Sequence, residues 1–408
     1  MSPPPSRLYS LDVLRGLAAL GIVVWHWQFF VSNGPFAPER QPLYDVLFLF
    51  YERGALAVDF FFCLSGFVFH WLYARHVAAG SLSLGTFAML RLSRLYPLHL
   101  AALLAVAAGQ AIHRAQTGHA YVYYWNDTWH FALNAVFASS WGLERGLSFN
   151  GPAWSVSVEI ALYAMFFALC RLAPPRLLHL VAAAVVGFFV LLDVYGPLGR
   201  GVGAFFMGGV ACLLYERLWA RADARRVTYA LVGLCGVLWV AVAVAVRAGW
   251  TDDVASTSLL LDRLLIVWPS LLLFPLTLLA FALAETVRGT LGRRLALLGD
   301  LSYAAYMLHF PLMLFLVDIA RLLGGDQTSL ARPWMLAGFV VLLGAVSLLS
   351  HRYFETPVRQ RLRRARRSRQ TTMPGAGRPP GGSATGWHSC SPQAEPAVTP
   401  AAVRDRGR

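Results

Sequence analysis

The chain has 408 residues, 57% hydrophobic and 14% charged, with a mean hydropathy of +0.54; its apolar stretches are longer than a soluble core needs and define a polytopic membrane protein. All 35 basic residues are arginine, which excludes Schiff-base and lysine-nucleophile chemistry. The formal charge of +14 would suit nucleic acid, but the arginines gather in alternate loops and in the tail, so the charge reads as membrane topology and no nucleic-acid partner is expected.

Apolar runs predict an all-α fold of ten transmembrane helices near 10–32, 55–74, 96–112, 153–172, 177–195, 201–219, 228–248, 264–284, 297–322 and 334–353. The first begins Pro-rich and weakly charged and is interrupted by Asp12 and Arg15, so it reads as a retained helix and not a cleaved signal. The longest loop, roughly 113–152, carries Tyr121, Tyr123, Tyr124, Trp125, Trp129 and Trp141, which suit either a membrane-interface belt or a lid that stacks on sugar rings. Arg75, Arg91, Arg94, Arg171, Arg217, Arg225, Arg293 and the run from Arg359 to Arg369 fall on the side that holds both termini. Opposite loops hold Glu39, Asp45, Asp127, Glu144 and Asp252. The positive-inside rule then places both termini in the cytoplasm, with the protein in the plasma membrane.

The chain divides into a transmembrane domain over 1–357 and a tail over 358–408 that is basic and then disordered, dominated by Pro, Gly, Ser, Thr and Ala. The five cysteines are scattered, without disulfide or metal-ligand spacing, and no metal is expected.

Several ionisable residues stand inside these apolar runs. Arg15 and His26 are eleven residues apart, which on a helix puts them on one face about 16 Å apart along the axis. Asp59, Glu159 and His309 occupy other spans. A charge at bilayer depth costs about 2.5–3.5 kcal/mol on insertion scales, so the set needs partners, a wet cavity or a substrate, and one shared cavity is the economical account. The spacing of Arg91 and Arg94 points both guanidinium groups the same way on a helix. Ser65 and Gly66 read first as a close-packing step between helices.

These residues sit in strings that resemble the membrane-bound acyltransferase 3 family. Leu11-Asp12-Val13-Leu14-Arg15-Gly16 with His26 resembles its opening motif, and Phe60-Phe61-Phe62 with Ser65-Gly66-Phe67 its second-helix signature. Arg91-Leu92-Ser93-Arg94 followed by Tyr96-Pro97 resembles its RxxR element, and Trp154-Ser155 through Glu159 its Trp-Ser-x-x-x-Glu segment. Ser302-Tyr303 through Tyr306 to His309, then Glu355-Thr356-Pro357, resemble the remaining landmarks in order.

The resemblance implies an integral membrane O-acyltransferase that moves an acyl group, most often acetyl, from acyl-CoA to a hydroxyl of a glycan, lipid-linked sugar or secondary metabolite. Acyl-CoA would be a co-substrate, with no tightly bound cofactor. An alcohol must lose its proton as it attacks a thioester, work suited to an imidazole, and His26 is the candidate general base. Glu159 and His309 complete the candidate catalytic set: Glu159 orients a cation, holds the acceptor or pairs with a buried donor, and His309 polarises the carbonyl, shares the proton or closes the cavity. Arg15, Arg91 and Arg94 are the candidate phosphate-binding residues, since guanidinium forks hold phosphate bidentately. Membrane lipids are the remaining partner. The alternative class is a proton-coupled transporter of a glycan or organic acid, which would use the same buried charges.

Overall fold

The computed structural model describes residues 7–31, 36–174, 176–250, 259–324 and 332–371, and among them there is no strand. The helices that matter for the site are α1 (Tyr9–His26), α2 (Tyr44–Arg53), α3 (Ala57–Ala78), α4 (Leu84–Thr117), α5 (Thr128–Ala135) and α6 (Trp154–Leu172). There follow α7 (Leu177–Val186), α8 (Gly196–Leu218), α9 (Ala224–Arg247) and α10 (Leu259–Trp268). The last are α11 (Phe274–Arg288), α12 (Ala296–Leu322), α13 (Pro333–Leu349) and α14 (Thr356–Thr371). Ten stretches among the described residues are long and apolar enough to cross a membrane, so the chain is a multi-pass membrane protein of the predicted all-α class.

The largest departure from the predicted spans is α4, expected over 96–112 and found over Leu84–Thr117. Pro97 favours a helix start because its missing N–H is harmless in a first turn, yet here it sits inside the helix. The true start is set by Ser83, whose Oγ accepts from the Thr86 backbone N–H at 3.3 Å. The extension puts Arg91 and Arg94 on an ordered helix instead of a loop. At the other end, the structure continues past residue 357 as α14, and the described residues up to Arg364 belong to one compact unit. The disorder expected of the tail from about 370 falls almost wholly outside the described residues.

α1 has no side-chain cap from its own sequence. Its orphan N–H groups are met from α11 instead: Glu285 accepts from the backbone N–H of Tyr9 at 3.0 Å and of Ser10 at 2.8 Å, and from Ser10 Oγ at 2.7 Å. A buried carboxylate at a helix N-terminus also meets the positive end of the helix dipole.

The tightest joint lies between α3 and α8. A Cβ at Gly66 would stand 1.8 Å from Phe205 O, and one at Gly208 would stand 1.8 Å from Cys63 O. The two helices therefore touch backbone to backbone, which only glycine at both positions allows. Packed around this joint are Phe67, Phe69, Phe166, Phe205 and Phe206, all buried, with Phe69 stacked on Tyr163 at 4.4 Å between centroids.

Candidate functional site

α1, α3, α4, α6 and α12 enclose a cavity of about 120 Å³. Its polar lining comes from Arg15, Ser65, Arg91, Arg94, Ser155, Glu159, Tyr163, Ser302, Tyr303 and Tyr306, and its apolar wall from residues such as Phe61 and Phe69. Four of the six site residues picked from the sequence thus meet in one space: Arg15, Arg91, Arg94 and Glu159. Their cavity-facing positions recur one helical turn apart, as Arg91 with Arg94 on α4 and Glu159 with Tyr163 on α6.

Each charge is held by different means. Arg15 pairs with Asp12, one turn earlier, and its Nε donates to Gly299 O on α12 at 3.1 Å. Asp12 also pairs with Arg7 at 2.7 Å, and Arg7 with Asp300 at 2.6 Å, so acid and base alternate along that edge. Arg91 donates through Nη2 to the Tyr73 hydroxyl and lies 5.0 Å from the Phe69 ring centroid and 4.8 Å from that of Tyr73. Its Nε is buried with no hydrogen-bond partner among the described residues. Arg94 makes no ion pair among the described residues. Glu159 accepts from Ser65 Oγ at 3.0 Å and from the Tyr163 hydroxyl at 2.5 Å, leaving its carboxylate on neutral donors.

His26 and His309 do not line this cavity. They form a separate buried pair with ring centroids 4.7 Å apart. The parallel packing of α1 on α12 brings the two residues to the same depth although they lie far apart in sequence. His26 Nδ1 donates to Ile22 O at 2.9 Å and His309 Nδ1 to Tyr306 O at 2.6 Å. A carbonyl only accepts, so Nδ1 carries a proton in each ring and Nε2 holds the lone pair of the neutral form. His309 Nε2 is buried without a partner among the described residues.

Tyr306 stands between the two groups. It lines the cavity, its ring centroid lies 5.8 Å from that of His309, and its hydroxyl donates to Pro152 O at 2.6 Å while Ser155 Oγ sits at 2.7 Å. The arginines and glutamate are therefore separated from the histidines by one aromatic side chain anchored on the start of α6.

Sequence reasoning singled out neither Tyr306 nor Tyr163 as site residues, although Tyr306 lies in the Ser-Tyr-x-x-Tyr-x-x-His string. Nor did it find the partner of Asp59, which is Arg200 of α8, bound through Nε at 3.1 Å and Nη2 at 2.5 Å. The signal was present as a lone arginine in an apolar run. His113 and Asp318, at 2.5 Å, make a further buried pair that does not line the cavity. No three His, Cys, Asp or Glu side chains among the described residues gather as a metal site.

A helical membrane unit with guanidinium groups, a carboxylate and paired imidazoles at its centre has the parts of a membrane-embedded group-transfer enzyme. The family model described as an acyltransferase domain matches residues 8–351, almost the whole membrane unit, and the chain belongs to this acyltransferase 3 family. It is 29% identical over 395 residues to acyltransferase MdmB of Streptomyces mycarofaciens, covering 90% of this chain and 95% of that one. It is 20% identical over 387 residues to O-acetyltransferase OatA of Staphylococcus aureus, covering 88% of this chain and 58% of OatA. A segment of 105 residues is 38% identical to protein 2 in the picA locus of Rhizobium radiobacter. No solved structure matches the chain. The relatives support O-acyltransferase activity.

Proposed function

We propose that the protein transfers an acyl group, acetyl first among the candidates, from acyl-CoA to a hydroxyl of a sugar, glycan or glycosylated metabolite. The observation that carries this reading is the meeting of Arg15, Arg91, Arg94 and Glu159 in one cavity that stops at Tyr306, one helical turn from the histidine pair. With the arginine-rich side cytoplasmic, as the positive-inside rule suggests, the donor phosphates engage the three arginines and the pantetheine arm rises toward His26. An arm reaching about half of a 30 Å hydrocarbon core lets the acceptor come from the other side.

The chemistry is then one proton and one acyl group. His26 Nε2 takes the acceptor hydroxyl proton as the oxygen attacks the thioester carbonyl. The C–O bond forms, the tetrahedral intermediate collapses with loss of the C–S bond, and the imidazolium returns its proton to the departing thiolate. His309, at 4.7 Å between centroids, fixes the position of the His26 ring and shares the proton. Glu159 keeps a negative charge among three arginines, which restrains how tightly the donor anion is held.

The test supplies isotope-labelled acetyl-CoA and a glycan and metabolite extract to membranes that contain wild type or His26→Ala, following free thiol and labelled product together. Label transfer that falls by about 10²–10⁴ in the variant supports the reading. Transfer unchanged in the variant removes His26 from the mechanism. If acetyl, propionyl and longer donors all fail with wild type, the transporter reading takes precedence.

A further inference from the structure

The hydrogen-bond ladder of α12 is broken just beyond His309. Pro311 lies inside the helix and has no backbone N–H, so the carbonyl of Met307, four residues earlier, loses its helical donor in the middle of a span. The missing bond is made from outside the helix: Asn150 Nδ2 donates to Met307 O at 3.0 Å. Asn150 is 1% exposed, and because a carbonyl only accepts, its NH2 group has to face α12. The adjoining carbonyl, Tyr306 O, takes the proton of His309 Nδ1 at 2.6 Å. Two successive carbonyls beside the break are thus bound by side chains, and one of those side chains is the His309 imidazole.

The grip on this turn comes from the chain just before α6. Gly151–Ala153 forms the 3-10 turn that leads into α6, and Pro152 O within it accepts from the Tyr306 hydroxyl at 2.6 Å. Pro152 therefore fixes Tyr306 while Asn150 fixes Met307, and Phe310 packs on Tyr123 at 5.0 Å between centroids. A Cβ at Gly151 would stand 2.2 Å from the Tyr123 ring, so only glycine lets the segment come this close. Phe149, the residue before Asn150, is held at φ 48°, a left-handed backbone that a bulky side chain rarely adopts, with its N–H tied to Asn126 Oδ1 at 2.6 Å. Such strain persists only where the surroundings over-determine it, and here it lies next to the side chain that reaches α12. One donor would suffice for one orphaned carbonyl. Instead Tyr306, Met307 and Phe310 are all held, on either side of the histidine that meets His26.

We propose that Asn150 is a positioning residue for the histidine pair: by holding Met307 O at the Pro311 break, it sets the turn of α12 that presents the His309 ring to His26. The inference rests on the transfer role assigned to His26 above. Asn150 does not line the cavity that holds Arg15, Arg91, Arg94 and Glu159, so it acts on the transfer step and not on donor binding. A misplacement of about 1 Å costs about 10²-fold in rate. Because the role runs through one carbonyl, it can be replaced. Alanine at position 311 restores a backbone N–H to Met307 O, and a carbonyl has two lone pairs, so Pro311→Ala serves that oxygen with or without Asn150.

The experiment compares wild type, Asn150→Ala, Pro311→Ala and the double variant, each as the full chain in nanodiscs. Label transfer from acetyl-CoA is measured per folded protein, counted by size-exclusion chromatography, with the glycan and metabolite extract at fixed concentration. Ring-nitrogen spectra of isotope-labelled histidine are recorded on the same samples, with His309→Gln identifying the His309 Nδ1 signal. Asn150→Ala should lower kcat about 10²-fold, change KM for acetyl-CoA by less than about twofold and move the His309 signal. Pro311→Ala should stay within about threefold of wild type, and the double variant should return to its level in both measurements. An unchanged kcat in Asn150→Ala, a loss that the double variant retains, or a loss that disappears per folded protein overturns the assignment while the transfer reading stands. Absence of transfer by wild type from every acyl-CoA overturns the transfer reading instead. The spectra then decide the positioning by themselves: a His309 signal alike in wild type and Asn150→Ala overturns it, and a shift reversed in the double variant upholds it.

Discussion

Replacing Gly66 by Ala tests whether the α3–α8 joint holds the cavity in shape. The new Cβ would lie 1.8 Å from Phe205 O, and Cβ contacts become ordinary only at 3.4 Å, so the helices have to part by about 1.6 Å. A gap of even 0.5–1 Å forfeits about a quarter to a half of the dispersion well for each contact it opens. Neither side has a flexible side chain that could yield, because the obstacle is backbone. The expected destabilisation is accordingly about 3 kcal/mol, the upper end for overpacking. Ser65 is the adjacent residue and donates to Glu159, so the same displacement disturbs the cavity wall. The assay is thermal unfolding in nanodiscs by tryptophan fluorescence, with Gly233→Ala as control. Nothing lies within 4 Å of a Cβ at Gly233, and there alanine is neutral or slightly stabilising. Gly66→Ala melting together with Gly233→Ala would refute the reasoning.

Asp59→Asn leaves Arg200 without its carboxylate and should cost about 3–5 kcal/mol, read as a lowered melting temperature that the double variant Asp59→Asn with Arg200→Gln partly restores. Glu159→Gln keeps an acceptor for Ser65 and Tyr163 but removes a negative charge beside three arginines, so coenzyme A should bind about tenfold tighter, measured by titration, with unchanged affinity refuting that role. Asp127, at the start of α5 in the loop between α4 and α6, is held below the usual carboxylate range by the His130 backbone N–H and then by the His130 side chain. A depressed folded value stabilises above the unfolded value near about 3.9 and is lost as pH falls through the folded one. The melting difference between wild type and Asp127→Asn should therefore be present at neutral pH, start to shrink as pH falls past about 3.9 and vanish only below the lower folded value, as followed in a pH series.

Much of the site was legible because membrane insertion makes polar residues conspicuous. An arginine or glutamate in an apolar run needs a reason, and Arg15 and Glu159 line one cavity with Arg91 and Arg94, which stood out by their spacing before a span, whereas His26, Asp59 and His309, expected in the same space, do not line it. The packing role of Gly66 followed in the same way from a small residue in a span. The start of α4 was not legible, because the apolar run begins near residue 96 whereas the helix is capped at Ser83, fourteen residues before Pro97.

The sequence by itself determined the class, the number and order of the helices and the family, since hydropathy and short motifs are local properties of the chain. Only the tertiary structure decided the partnerships: Glu285 capping α1, Arg200 answering Asp59, His26 meeting His309, and Tyr306 standing between the histidines and the cavity. Each joins residues remote in sequence. Their meeting depends on the offset and rotation of packed helices, and those are set by side-chain volumes and glycine contacts summed over whole interfaces, which no single segment encodes.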